Sequence, residues 1–124
     1  MNRLILTATL LALASPALAD GDPEKGEKVF RKCQACHAVG EGASNKVGPE
    51  LNGIVGRPAG SIGDFKYSSG MQEAAAGGLV WTPEHIAEFL TKPKDFVKGT
   101  KMTFAGLRKD DEREDVIAYL STFK

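Results

Sequence analysis

Strand signals are nearly absent from this chain. The apolar stretches follow helical spacing or dissolve into glycine-rich runs, so the fold class is all-α. Long hydrophobic runs are also missing. The longest, Leu4 to Ala14, is shorter than the roughly 18 residues that a membrane span needs. Thiols and imidazoles are scarce, with two of each. A four-ligand zinc site would have to use Cys33, Cys36, His37 and His85 together, with adjacent Cys36 and His37 on one ion, which is awkward. Charge of either sign is not in excess, at 16 basic against 16 acidic residues, and no nucleic-acid partner is expected.

The first feature that is present is a leader. Met1-Asn2-Arg3 supplies a basic start, Leu4 to Ala14 an apolar core, and Ala17-Leu18-Ala19 an Ala-x-Ala end before Asp20. This pattern predicts a secretory signal peptide cleaved after Ala19, with an uncleaved N-terminal anchor as the alternative. Cleavage removes 19 of 124 residues and leaves one domain of 105, residues 20–124, with no membrane span. Export places the mature protein in the periplasm of a bacterium.

The second feature is Cys33-Gln34-Ala35-Cys36-His37. Two thiols three positions apart, followed at once by an imidazole, are what covalent attachment of a c-type haem requires. Each sulfur adds to a vinyl group and the imidazole reaches the iron. On a helical turn Cys33 and His37 share a face, so one short segment both anchors the macrocycle and supplies an axial ligand. A thioredoxin-like redox pair is the competing reading, but it needs a strand feeding a helix. The residues before Cys33, Glu24 to Lys32, are charged and at helical spacing.

Asp22-Pro23-Glu24 predicts a helix start, with Asp22 as N-cap and a core face of Gly26, Val29, Phe30 and Cys33. A glycine on that face suggests close approach of another backbone. From Ala38 to Lys66 seven glycines and two prolines leave no period. So long a loop inside a small domain is expected to wrap something. Ser68-Ser69 precede a short helix through Met71 to Ala76, stopped by Gly77-Gly78. Thr82-Pro83 starts another on Ile86, Phe89 and Leu90, with Pro93 as its stop. Phe96 to Lys109 reads as irregular. The acidic run from Asp110 opens a last helix that buries Val116, Ile117, Tyr119, Leu120 and Phe123.

A second axial ligand would close the iron and make the site an electron carrier; without one it is open to small molecules, as in a haem enzyme or gas sensor. The candidates are Met71, Met102 and His85. Met71 at a helix start has an ordinary packing role open to it, and His85, off the apolar face, reads as a solvated surface residue. Met102, in the loop Gly99-Thr100-Lys101-Met102-Thr103-Phe104, is favoured because an irregular backbone can aim a thioether inward.

That loop, extended to Ala105-Gly106, resembles the methionine-ligand loop of the class I c-type cytochromes, and Glu112 to Leu120 resembles their C-terminal helix. With Cys33 to His37, Gly48-Pro49-Glu50-Leu51, Gly53 and Gly56-Arg57, the resemblance covers nearly the whole mature chain and is closest to the bacterial cytochrome c2 and mitochondrial cytochrome c branches. It implies a small cytochrome c fold with crossed N- and C-terminal helices and haem-wrapping loops, and one covalent haem c per chain. It also implies axial ligands His37 and Met102, thioether anchors Cys33 and Cys36, and a Pro49 carbonyl on the ring N–H of His37. Arg57, Tyr67 and Trp81 match the groups that bond or neutralise a haem propionate, and Gly26 and Phe30 would pack on Val116 and Tyr119. Three features depart from the mitochondrial pattern: Phe89 replaces a tyrosine, Met71 an asparagine, and only Arg31 and Lys32 separate Phe30 from Cys33.

The expected function is therefore single-electron transport without catalysis, by a monomer. A cytochrome bc complex would be the donor and a cytochrome oxidase or photosynthetic reaction centre the acceptor. The near-zero net charge hides an asymmetry. Lys92, Lys94, Lys98, Lys101, Arg108 and Lys109 face only Asp95 in their segment, whereas Asp110 to Asp115 holds five acids and one Arg. A basic patch beside the ligand loop would steer the carrier onto acidic docking faces.

Overall fold

The computed structural model describes residues 21–124; the leader segment and its cleavage site lie outside the described residues. Five helices follow in order: α1 Pro23–Phe30, α2 Ser69–Ala76, α3 Pro83–Thr91, α4 Pro93–Phe96 and α5 Asp110–Leu120. No strand occurs among the described residues, only one antiparallel bridge between Pro58 and Val80. The helical fold class stands.

The helix starts follow from local chemistry. Asp22 accepts the Glu24 backbone N–H at 2.9 Å, with Pro23 in the first turn. Ser68 Oγ takes the Met71 N–H at 3.1 Å and Thr82 Oγ1 the His85 N–H at 3.2 Å. Each satisfies a donor that the first turn leaves without an intrahelical partner. Asp110, Asp111 and Glu112 place negative charge at the positive end of α5.

The crossing of α1 over α5 is the largest helix contact. A side chain at Gly26 would overlap the Asp115 carbonyl and meet Tyr119 Cβ at 2.7 Å, so the helix axes approach backbone to backbone. Asp115 Oδ1 also accepts the Asp22 N–H at 2.8 Å, tying the start of α1 to α5. Phe30 packs on Tyr119 with ring centroids 5.5 Å apart. Phe30 and Val116 are almost wholly buried, each contributing about 1.5–3 kcal/mol of apolar transfer.

One expectation is extended and one is corrected. Pro93 ends α3 but also begins α4, because proline fits the first turn of a helix, and only Lys92 separates the two. His85 is not a solvated surface residue. It is half-buried, its Nδ1 donates to the Val80 carbonyl at 2.8 Å, and its ring lies 6.1 Å from that of Phe96.

The loop from Ala38 to Lys66 is ordered by its own bonds. The Asn52 amide closes a pair with Gly40, taking its N–H at 2.7 Å and donating to its carbonyl at 2.9 Å. Around the Pro58–Val80 bridge, Gly56 N–H bonds Trp81 O at 2.7 Å and Trp81 N–H bonds Arg57 O at 2.9 Å. Helix α2 packs against none of the other helices; Met71 and Ala75 carry it onto the core, and its Gly70 backbone lies on the Lys98 carbonyl.

Candidate functional site

Beside the contacts they make with one another, the apolar faces of α1, α3 and α5 and the long loop leave a space at the centre of the molecule. They enclose a cavity of about 480 Å³, in the size range of a cofactor pocket. Phe30, Leu51, Ile54, Trp81, Leu90 and Leu120 form much of its wall, and Cys33, Cys36 and His37 lie along it with Met71 and Met102.

The segment following α1 holds the two thiols and the imidazole by its backbone. Cys36 N–H and His37 N–H both bond the Cys33 carbonyl, at 3.1 and 2.9 Å, so the helical turn expected over the motif is present. Gly48 N–H bonds Cys36 O at 2.8 Å and brings the loop across the imidazole. A Cβ at Gly48 would stand 2.8 Å from His37 Nδ1 and 2.9 Å from Nε2, so only glycine lets this backbone lie on the ring. The sequence signal for that role is a glycine directly ahead of Pro49.

His37 Nδ1 lies 2.7 Å from the Pro49 carbonyl oxygen. A carbonyl only accepts, so Nδ1 carries the hydrogen and Nε2 keeps a bare lone pair. Burial pushes the imidazole pKa below its ordinary value, outweighing the Pro49 bond that raises it, and the Arg57 charge lowers it further. The ring is thus neutral, as a metal ligand must be. Burial pushes the Cys33 thiol up to about 11, against the pull of Lys32. Both cysteines are free of disulfide.

Of the three candidate second ligands, Met71 and Met102 line the cavity and His85 does not. Met102 is half-buried, and its N–H bonds Thr100 Oγ1 at 3.3 Å. Arg57, Tyr67 and Trp81 also lie on the wall. Tyr67 Oη accepts the Ile62 N–H at 3.1 Å, leaving its own hydroxyl hydrogen to donate. Arg57 donates to Asn52 O at 3.0 Å and Glu50 O at 3.1 Å, and lies 3.6 Å from the Glu50 carboxylate. The Glu50 contact has no signal in the sequence, since it depends on the turn of the loop between the two residues.

The donor set fits a covalent haem. Two free thiols, a neutral imidazole with an exposed lone pair and a thioether line one apolar cavity, and cationic and hydroxyl groups lie where acidic substituents can be received. Lys32 and Lys101 also line it. Lys32 pairs with Glu112 at 3.6 Å, and Lys101 Nζ donates to Lys66 O at 3.2 Å. Val47 stands on the same wall and, at 77 % exposed, is the only large apolar side chain left on the surface of the described residues.

Comparison with known proteins agrees with this geometry. The family model described as Cytochrome c matches residues 23–124. Cytochrome c2 from Agrobacterium tumefaciens is 54% identical over 101 residues, covering 82% of this chain and 91% of the relative. Cytochrome c-550 from Ancylobacter novellus is 57% identical over 101 residues, covering 82% and 94%. The solved structure of cytochrome c2 from Rhodospirillum centenum superposes with a TM-score of 0.80 at 44% identity, covering 84% of this chain and 99% of that one.

Proposed function

This chain belongs to the cytochrome c family, a single-haem electron carrier with one covalent haem c and not an enzyme, and on that premise we propose that it is a soluble periplasmic shuttle between membrane redox complexes. A cytochrome bc complex is the proposed donor and a cytochrome oxidase or photosynthetic reaction centre the acceptor, with the protein acting as a monomer after cleavage behind Ala19.

The carrying observation is the Pro49 carbonyl on His37 Nδ1 in a largely apolar cavity that Met102 also lines. Cys33 and Cys36 would carry the thioether bonds to a bound haem, and His37 Nε2 and Met102 Sδ would hold its iron. The haem supplies one-electron chemistry at its iron. Pro49 holds the imidazole in one tautomer and raises its basicity as a ligand. The Met102 thioether and the apolar wall favour the less charged ferrous state, which gives a fairly high potential. With both His37 and Met102 on the iron, no position would be left there for a substrate. Arg57, Tyr67 and Trp81 are assigned to the propionates.

Docking follows from the rim. Lys32 and Lys101 bring positive charge to the cavity wall, and Val47 gives the approaching surface an apolar contact. Charge of this kind raises the encounter rate with an acidic partner and is weakened by salt. Ferric absorption tests the reading. A methionine-to-iron charge-transfer band in the wild type, abolished in Met102→Ala, is expected; a high-spin wild-type spectrum overturns it. Turnover with isolated membrane complexes tests the partners.

A further inference from the structure

We propose that Glu50 sets the reduction potential of the site by partly cancelling the charge of Arg57. The proposal rests on the haem-carrier reading above and concerns a residue to which neither the motifs nor the ligand set gives a part.

The pair is built into the wall. Glu50 Oε1 lies 3.6 Å from Arg57 Nη1, and the two side chains are only 20% and 13% exposed. The Glu50 side chain and backbone are both tied to the loop. Oε2 accepts the Asn52 N–H at 2.8 Å, and the backbone N–H of Glu50 donates to Asn45 Oδ1 at 2.9 Å. The Arg57 fork is held by the Asn52 and Glu50 carbonyls, which occupy two of its five N–H donors. Neither group can swing away to water without breaking the loop.

The two charges are not equivalent with respect to the cavity. Arg57 lines the apolar cavity, whereas Glu50 lines an open polar cleft of about 720 Å³ on the loop's other side, with Asn45, Asn52 and Asp64. The cation stands on the cavity wall with the anion behind it. A positive charge at the wall favours the ferrous state, which carries one positive charge fewer than the ferric, and a negative charge behind it opposes that preference. Salt screens such a pair little, because both partners are mostly buried.

The competing explanation is that Glu50 only anchors the loop by accepting the Asn52 N–H. Glu50→Gln separates the two, because the amide keeps a carbonyl acceptor and loses the charge. Redox titration of the purified holoprotein is the experiment. Glu50→Gln is expected to shift the reduction equilibrium towards the ferrous form on the order of threefold, about 28 mV for one electron, with the methionine charge-transfer band retained. Arg57→Gln is expected to shift it the other way. If Glu50→Gln does not accumulate, Glu50→Asp and Glu50→Asn, of equal length, put the same question, and the Asn variant must lie on the ferrous side of the Asp variant. An intact methionine-ligated haem whose potential ignores the charge at position 50 overturns this proposal alone. A chain purified without covalent haem overturns both readings.

Discussion

Gly26 lies directly on the backbone carbonyl of Asp115, with no space between them for a side chain. In Gly26→Ala the better helix propensity of alanine offers about 1 kcal/mol. The Cβ must displace backbone and not a flexible side chain, and overpacking of that kind costs about 1–3 kcal/mol. The clash is expected to win, lowering the denaturant midpoint of the holoprotein with little change in the slope. A raised midpoint counts against a tight crossing of α1 and α5.

Met71 and Met102 both line the cavity, but only Met102 is assigned to the iron. Met71→Leu conserves volume and is expected to cost less than about 1.5 kcal/mol, with the charge-transfer band intact. Loss of that band in Met71→Leu, and its survival in Met102→Ala, would reverse the assignment.

Lys101 lines the cavity and its ammonium bonds only a backbone carbonyl, that of Lys66. Lys101→Glu is expected to slow association with a membrane partner by about three- to tenfold at low salt and to flatten the salt dependence. Stopped-flow rates across a salt series check this. Equal rates and slopes for variant and wild type would mean that the lysines serve solubility alone.

Burial holds His37 below its ordinary pKa in the folded protein, and a haem iron on Nε2 would oppose protonation in the same direction. The folded state therefore binds fewer protons than the unfolded chain in the interval between the two pKa values, and stability rises with pH there. The His37 contribution is present above the unfolded value of about 6.5 and is lost as pH falls towards the folded one. The urea midpoint is expected to be level just above that pH and to decline below it. A midpoint that improves on acidification contradicts the neutral ring.

The helix starts and the centre of the site were legible in sequence because they are local. Asp22, Ser68 and Thr82 each cap the helix they precede within three residues, and Cys33 to His37 share one turn. Pro93 stops α3 as the sequence suggests, but the short α4 that it also opens leaves no signal apart from that proline, which suits the first turn of a helix as well as it stops one. His85 was misread because its partner is the carbonyl of Val80, reached only when the chain folds back at the start of α3. The Glu50–Arg57 pair was invisible for a different reason. It depends on turns through the loop that a residue-by-residue reading does not supply.

The bridge at Pro58 and Val80, with its flanking bonds between Gly56, Arg57 and Trp81, gathers the intervening chain into a loop closed at its neck. Helix α2 lies inside that loop and touches no other helix. Beyond its neck the segment meets the rest of the fold through Gly70, whose backbone lies on the Lys98 carbonyl, and through Met71 and Ala75 on the core, so its amide hydrogens are expected to exchange ahead of those in the α1–α5 crossing. Arg57, Tyr67 and Met71 reach the cavity from this loop and its neck, so any opening there would admit water to the Arg57 end while the crossed terminal helices stay shut, and proton access and mechanical integrity would be governed by separate parts of one small fold.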